Sequence, residues 1–219
     1  MPVAQDTALS LGAPAWTAVF SHRPSPSVLP DLSSVGDEAL MGRWRNGDLR
    51  AFQALYRRHR SSLHRYLLRM AASPAEAEEL FQEIWAAVVK SRQTWTPQAS
   101  FRTYLFSIAN RRLADSFRTR ARRFAELNAR PLEGEGAPAL PASDLDPEAG
   151  AHNAHLGRAL LAAIQALPAP QRQAFLLQAE AGLSLEEIAE AVGAPRETVK
   201  SRLRYASMRL RADLREWRE

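Results

Sequence analysis

Apolar side chains that recur three, four or seven positions apart constrain the fold of this chain more strongly than any other feature. One such stripe consists of Phe52, Leu55, Tyr56, Leu63, Tyr66, Leu67 and Met70. Further helical stripes lie within residues 77–88, 101–117, 156–167, 185–192 and 199–217. No segment of the sequence alternates apolar and polar residues as a half-buried strand does. The predicted fold class is therefore all-α.

Two stretches without this pattern set the predicted domain boundaries. Residues 1–36 are rich in Pro, Ser, Ala and Gly, which predicts a disordered leader. Residues 124–151 contain several Pro and Gly residues, and after Arg130 they carry five acids and no basic residue. That composition predicts a flexible acidic linker. It separates two small helical domains, residues 37–123 and residues 152–219.

Positive charge is concentrated in two of the predicted helices. Residues 101–123 hold seven arginines and one acid, a net charge of +6, and residues 196–211 have a net charge of +5. The whole chain carries +5, so everything else sums to −6. Two basic helices on an otherwise acidic chain favour binding to a phosphate backbone in two places. Two solvated arginine-rich faces would produce the same charges.

Several classes of function lack the residues they need. The chain has no cysteine, which excludes disulfides and thiolate sites, and its five histidines show no convincing metal-ligand spacing. No glycine-rich phosphate loop and no nucleophile with a plausible base are present. No apolar run approaches the roughly 18 residues of a membrane span. We therefore predict no cofactor, no metal, no reaction catalysed by the chain itself and no membrane insertion, and we expect the protein in the cytosol.

Helix-start and helix-stop signals in the second domain predict a helix-turn-helix. Ser184 and Glu187 have the spacing of a capping box, and Gly193 ends that short helix before Pro195 opens a long basic one. In a helix-turn-helix, the first residues of the second helix face base edges in the major groove. The side chains predicted there are Arg196, Glu197, Thr198, Lys200, Ser201, Arg202 and Arg204. A generic pair of antiparallel helices would share this periodicity.

Four segments, in order along the chain, resemble the extracytoplasmic-function (ECF) subfamily of bacterial RNA polymerase sigma factors. They are Gly47-Asp48 with Ala51, Phe52 and Leu55, residues 77–85, residues 101–110 with Asp115 and Arg118, and residues 183–203. The second segment resembles the polymerase-binding helix of the family, and the third resembles the helix that reads and melts the promoter. Four motifs in the correct order across a linker are more specific than any one of them. The resemblance covers residues 37–123 and 152–217.

Three positions depart from the usual pattern of the family. Glu79 stands where Asp is usual, and Tyr104 stands where Trp is common. Tyr205 stands where the family often has Arg, so one backbone contact with DNA is expected to change.

The resemblance implies a role for each domain. The first domain is expected to bind core RNA polymerase through Glu79, Leu80, Gln82, Glu83 and Trp85. It is also expected to capture the melted minus-ten element of the promoter with Trp95, Tyr104, Asn110, Arg111, Arg112, Asp115 and Arg118. The second domain is expected to bind the minus-thirty-five element as duplex. Implied partners are core polymerase, promoter DNA and an anti-sigma factor, which could hold the chain at the membrane.

The residues themselves leave some of these roles open. Trp85, if exposed beside acids, would suit a partner helix, and its alternative is partial packing in the core. Trp95 lies in a loop, where stacking on a base and packing in the core are about equally expected. Phe101 falls on an apolar stripe and is expected in the core. Asn110 offers a donor and an acceptor to a base edge, or to a neighbouring helix.

Two further alternatives concern the chain as a whole. A stand-alone helix-turn-helix regulator, binding operators as a dimer, would explain residues 183–211 but not the motifs of the first domain. The acidic linker could thread the basic RNA path of the polymerase in place of RNA phosphates, or it could be an ordinary tether.

Overall fold

The computed structural model describes residues 32–96, 98–127 and 150–215. Helices are the only regular elements in these ranges, which confirms the predicted all-α class. They are α1 (Asp37–Arg45), α2 (Leu49–Met70), α3 (Pro74–Lys90), α4 (Phe101–Leu127), α5 (Gly150–Ala166), α6 (Ala169–Ala179), α7 (Leu185–Val192) and α8 (Arg196–Asp213). Among the described residues, no helix is both long and apolar enough to span a membrane. The predicted leader up to residue 31 and residues 128–149 of the predicted linker lie outside the described residues, as does Trp217.

Hydrogen bonds at the helix starts follow the sequence signals. Asp48 accepts the N–H of Arg50 at 3.1 Å before α2, and Ser73 accepts the N–H of Glu76 at 3.1 Å before α3. Ser73 and Glu76 have the spacing of a capping box, but the carboxylate of Glu76 accepts the N–H of Ala72 rather than that of Ser73. At α7 the box is complete and reciprocal, because Ser184 and Glu187 each accept the other's backbone N–H.

An aromatic cluster forms the core of the first domain. Phe52 lies 4.6 Å from Trp44 and 5.9 Å from Trp85, measured between ring centroids, and Tyr56 lies 4.9 Å from Trp85. Trp44 belongs to α1, a helix of nine residues that the apolar spacing does not reveal. It buries Leu40 and Met41 completely. Because α1 is too short to be stable alone, its tertiary contacts determine that it forms.

Charged side chains hold α1 against the rest of the first domain. Asp37 accepts a hydrogen bond from Nε2 of the buried His59 at 2.7 Å and pairs with Arg58. Burial raises the pKa of Asp37, but the hydrogen bond and charge of His59, followed by those of Arg58, outweigh it, and the net pKa is lowered. Glu38 accepts the backbone N–H of Phe101 at 3.0 Å and so caps α4.

The second domain has a smaller, mainly aliphatic core. Leu176 and Leu177 of α6, Ile188 of α7 and Val199 of α8 are buried together. Gly193 closes α7 with a φ of +63°, a left-handed conformation that an L side chain rarely adopts. The tight turn that follows sets α8 across α7. This confirms the predicted helix-turn-helix.

The two domains pack directly on each other. α7 lies against α4, and α6 lies against α2. The linker composition predicts two domains but gives no information about this contact, since it joins residues far apart in sequence.

Candidate nucleic-acid interface

The N-terminal half of α8 presents its polar side chains to solvent. Thr198, Lys200, Ser201 and Arg204 are exposed, while Arg202 is half-buried. Val199, Ala206 and Leu210 form the opposite, buried face that holds the helix in its domain. This division agrees with the predicted recognition helix, in which one face packs and the other meets base edges.

The basic side chains at the start of α8 form ion pairs with neighbouring acids. Arg196 donates from Nε to Glu186 at 2.6 Å and from Nη1 to Glu197 at 3.2 Å, and Lys200 lies 3.3 Å from Glu197. The hydrogen bond to Glu186 raises the pKa of Arg196, and the same bond lowers the pKa of Glu186. All four side chains are exposed, so water and salt screen these pairs and DNA phosphates can compete for the cations.

A second exposed cationic feature lies further along α8. The Arg204 guanidinium carbon is 5.0 Å from the ring centroid of Tyr205, a cation–π distance. Tyr205 is 45% exposed and Met208 is 59% exposed, so this part of the helix offers apolar contact area beside its charges.

Arginines cover the outer face of α4. Arg111, Arg112 and Arg118 are exposed, as predicted for phosphate contacts. Arg118 pairs with Asp115 on its own helix, and Arg112 lies 3.7 Å from Glu83 on α3. A groove of about 510 Å³ runs between α3 and α4, and its charged residues are Glu76, Glu79, Glu83, Arg112, Asp115, Arg120 and Arg123.

Asn110, the predicted base-contacting residue of α4, is 6% exposed. Its Oδ1 accepts hydrogen bonds from the hydroxyl of Tyr66 and from Nε2 of Gln173 at 3.2 Å. Its Nδ2 donates to the carbonyl of Ala191 at 3.3 Å. Tyr66 lies on α2, whereas Gln173 and Ala191 belong to the second domain. The polar groups of Asn110 are therefore engaged within the protein in this arrangement, and its role as a DNA contact stays a prediction.

The two aromatic residues predicted near the melted strand also lie inside the protein. Trp95 is 7% exposed, which favours packing in the core over stacking on a base in this arrangement, while its role as a DNA contact stays a prediction. Its backbone N–H donates to the carbonyl of Ser91 and extends the end of α3 by a turn that folds the ring inward. Tyr104 is half-buried and donates its hydroxyl hydrogen to Oγ of Ser91. Phe101 is fully buried, as predicted.

The predicted polymerase-binding set divides into exposed and buried members. Glu79 and Glu83 are exposed and Gln82 is half-buried, so these three form an accessible polar face. Leu80 is 5% exposed and Trp85 is 0% exposed. Trp85 therefore packs in the core, the second of its two alternatives, and its part in polymerase binding stays a prediction. Trp85 follows Phe81 by four positions and precedes Val88 by three, a helical spacing that already places it on the buried stripe.

Sequence reasoning missed a polar cluster that joins the domains. Glu187 Oε1 accepts hydrogen bonds from the hydroxyls of Ser100 at 2.9 Å and Thr103 at 3.0 Å. Burial raises the pKa of Glu187, but hydrogen bonds from Ser184, Ser100 and Thr103 outweigh this, and the net pKa is lowered. The capping-box signal identifies Glu187, but only as a residue of its own helix. No local signal could show that its second oxygen reaches α4.

Two segments of the chain match family descriptions of one class of protein. Residues 55–123, which include α3 and most of α4, match Sigma-70 region 2. Residues 157–210, which include the helix-turn-helix, match Sigma-70 region 4.

Similar proteins of the same class cover most of the chain. The ECF RNA polymerase sigma factor SigE of Mycolicibacterium smegmatis is 32% identical over 191 residues, which span 87% of this chain and 68% of that protein. The RNA polymerase sigma factor CarQ of Myxococcus xanthus is 34% identical over 148 residues, which span 68% of this chain and 80% of that protein.

Solved structures share the fold. The sigma factor RpoE from Bartonella quintana, in complex with the anti-sigma factor NepR, aligns with a TM-score of 0.59 at 21% identity, over 75% of this chain and 96% of that one. CnrH, in complex with the cytosolic domain of CnrY, aligns with a TM-score of 0.57 at 21% identity, over 82% of this chain and 97% of that one.

The chain belongs to the ECF family of bacterial RNA polymerase sigma factors. It is a transcription initiation factor that directs RNA polymerase to promoters. The stand-alone regulator is not favoured, because region 2 and region 4 are both present in the order that sigma factors have.

Proposed function

We propose that the first domain binds core RNA polymerase and captures the melted minus-ten element, while the second domain binds the minus-thirty-five element as duplex. The exposed face of Glu79, Gln82 and Glu83 on α3 would contact the polymerase. The exposed arginines of α4 would hold the DNA backbone, with Asn110 and Tyr104 beside the captured bases. The first turns of α8 would enter the major groove.

The main support for these two DNA-binding roles is the exposure of basic side chains on both α4 and α8. The basic residues of α4 and α8 are exposed on separate domains, each within a segment that matches a sigma region. Two small contact surfaces of this kind bind weakly alone. Joined through one polymerase, they act with a high effective concentration.

The remaining assignments follow from the same class of protein. RpoE was solved in complex with the anti-sigma factor NepR, which supports an anti-sigma factor as a partner of this chain. We place the protein in the cytosol, where polymerase and DNA are, or at the membrane when such a partner holds it there. As a transcription factor it would catalyse no reaction of its own and need no cofactor or metal.

The assignment is tested by run-off transcription with purified core RNA polymerase, using DNA upstream of the protein's own gene as template. Saturable binding to core and initiation from a discrete site are expected. If core does not bind, and the protein alone protects a symmetric DNA site, the operator-binding alternative replaces it.

The contact of the polar face of α3 with polymerase is tested by a double variant and a matched control. The double variant Glu79→Ala with Glu83→Ala should weaken core binding, because it removes both exposed acids of the face. Glu190→Ala, an exposed acid on α7, serves as the control for loss of charge. Equal core affinity in all three proteins would exclude this face as the contact.

The acidic linker is tested separately, since its five acids lie outside the described residues. Replacing its five acids with Gln should reduce polymerase affinity or alter abortive synthesis if the linker occupies the RNA path. No change in either measurement would leave it as a tether.

A further inference from the structure

One side of α8 faces directly away from the core of the second domain. Glu197, Ser201 and Arg204 lie on this side, at spacings of four and three residues that bring them onto one stripe of the helix. All three are exposed, and they lie opposite the buried face that holds α8 in its domain. In the proposed complex with the minus-thirty-five element, this stripe meets the base edges of the major groove. Its first member is an acid, the only one within residues 196–211.

A carboxylate on a DNA-facing stripe is unfavourable unless its charge is balanced, because DNA phosphates repel it. Glu197 has two cationic partners. Its Oε1 accepts from Nη1 of Arg196 at 3.2 Å, and its Oε2 accepts from Nζ of Lys200 at 3.3 Å. A carboxylate can accept about four hydrogen bonds, so each oxygen keeps a free acceptor site. The charge of Glu197 is therefore balanced, and the group is still able to accept a further hydrogen bond.

Arg196 is held from its other side by α7. Its Nε donates to Oε1 of Glu186 at 2.6 Å, so the guanidinium lies between one acid of α7 and one acid of α8. Arg196 thus lies on the flank of the stripe nearest to α7. The two acids and two cations of this cluster sum to zero charge. The cluster therefore attracts the phosphate backbone weakly, and contacts with base edges become the main source of affinity at this turn.

The base edges of the major groove offer few partners for a carboxylate. Only the amino groups of cytosine and adenine donate hydrogen bonds there. Adenine presents the acceptor N7 beside its amino group, and this nitrogen repels a neighbouring carboxylate, whereas cytosine presents no acceptor on that edge. The guanine that pairs with cytosine presents two acceptors, O6 and N7, which suit the cations beside Glu197. A cytosine–guanine pair therefore matches this cluster better than any other pair.

We propose that Glu197 is a specificity-determining residue for one cytosine of the minus-thirty-five element and accepts a hydrogen bond from the N4 amino group of that base. Arg196 and Lys200 neutralise the acid so that it enters the groove. Glu186 is a positioning residue, which holds Arg196 in place and does not contact DNA. The inference rests on the proposed binding of the minus-thirty-five element by α8, and it adds the identity of one base pair.

The test is run-off transcription by core polymerase carrying this chain, on DNA from upstream of the protein's own gene. Each base pair of the minus-thirty-five element is replaced in turn by the other three. The wild-type protein should prefer cytosine at one position by roughly tenfold. Glu197→Ala should abolish that preference and leave the preferences at the other positions unchanged. Glu197→Gln should transfer the preference to adenine, because an amide fits both N6 and N7 of adenine.

Two further variants separate base reading from the loss of a negative charge. Glu190→Gln removes an exposed acid of α7 and should keep the preference for cytosine. Glu186→Gln should reduce the preference without transferring it to adenine. It should also make duplex binding by the polymerase complex more dependent on salt, since the released Arg196 then contacts a phosphate.

The outcomes distinguish this inference from the function it rests on. A carboxylate in the first turn of a helix also stabilises that helix, but its loss would weaken initiation from every template alike. An equal change in Glu197→Ala on all templates, or an unchanged preference for cytosine, would overturn the proposal while promoter-specific initiation persisted. So would a wild-type protein that depends on the element but prefers cytosine nowhere. Wild-type initiation that is insensitive to every substitution in the element would overturn the proposed function instead.

Discussion

The two helices that are expected to contact promoter DNA, α4 and α8, present their polar side chains in opposite ways. At the start of α8, Lys200 and its neighbours are exposed and bound only to acids nearby. On α4 the arginines are exposed, but Asn110 and Thr103 are buried against the second domain. In this arrangement the first turns of α8 are therefore open to solvent, whereas part of the polar face of α4 is covered by the second domain.

The helices also differ in how they are anchored. α4 contributes Phe101 and Phe106 to an aromatic core, and Phe106 lies 5.4 Å from the ring of Tyr66. α8 contributes smaller aliphatic side chains, among them Val199. Truncation of a buried side chain to alanine should therefore lower the free energy of unfolding by different amounts in the two domains.

The largest expected effect is the loss of stability in Phe106→Ala. Removing a fully buried ring should lower the free energy of unfolding by about 3–5 kcal/mol. Val199→Ala, also fully buried, removes two methyl groups and should cost about 2 kcal/mol. Urea denaturation followed by circular dichroism measures both. An equal or larger cost for Val199→Ala would show that α8 is anchored as firmly as α4.

The next effect separates the two helices by function. Asn110→Ala removes the acceptor of the buried Tyr66 hydroxyl, so it should lower the free energy of unfolding by about 1–3 kcal/mol. It should also impair promoter opening. Lys200→Ala, at an exposed position, should change stability by less than about 0.5 kcal/mol and weaken duplex binding instead.

Permanganate footprinting measures the opening of promoter DNA by Asn110→Ala and Lys200→Ala. A duplex-binding assay with the polymerase complex measures the contact of α8 with DNA. Loss of opening in Lys200→Ala with normal duplex binding would reverse the assignment of the two helices.

A smaller effect concerns the turn before α8. Gly193→Ala should cost about 1 kcal/mol, because φ is +63° there although no atom would clash with the added Cβ. Gly42→Ala, inside α1 with open space around it, should instead stabilise by about 0.4–1 kcal/mol. Thermal unfolding of the two variants should therefore shift in opposite directions.

The smallest expected effect is a pH dependence of stability that arises from Asp37. The folded-state pKa of Asp37 lies below its ordinary value of 3.8, so the carboxylate stabilises the first domain above that value. This stability is lost as the pH falls through the lowered folded-state pKa. Asp37→Asn should be less stable than wild type at neutral pH, and the difference should shrink in acid.

Tryptophan fluorescence measures this effect, since Trp44, Trp85 and Trp95 all lie in the core of the first domain. A constant difference between Asp37→Asn and wild type across the acid range would contradict the lowered pKa.

Much of the fold follows from local patterns in the sequence. Asp48, Ser73 and Ser184 each cap the helix that follows them, and Gly193 ends α7. These signals involve residues within four positions of one another, so they can be recognised without tertiary information. α1 escaped prediction because it is held by distant partners, notably His59 and Phe101.

The candidate site could be predicted only in part, because some of its features depend on local sequence and others on tertiary contacts. Charge density identified the exposed arginines of α4 and the start of α8, because phosphate contacts need only charge and exposure. Trp85 was left open because an aromatic ring suits both a partner and a core. Its helical spacing from Phe81 favours the core, and its contacts with Phe52 and Tyr56 place it there.

The sequence by itself determined the class of fold, the helix-turn-helix, the two basic helices and the family. Apolar spacing, capping residues and charge are local properties, and each leaves a pattern in the order of residues. Tertiary structure alone decided that Glu187 faces Ser100 and Thr103, and that Asn110 lies under α7. Those contacts join residues more than eighty positions apart, and they depend on how two separately folded domains meet.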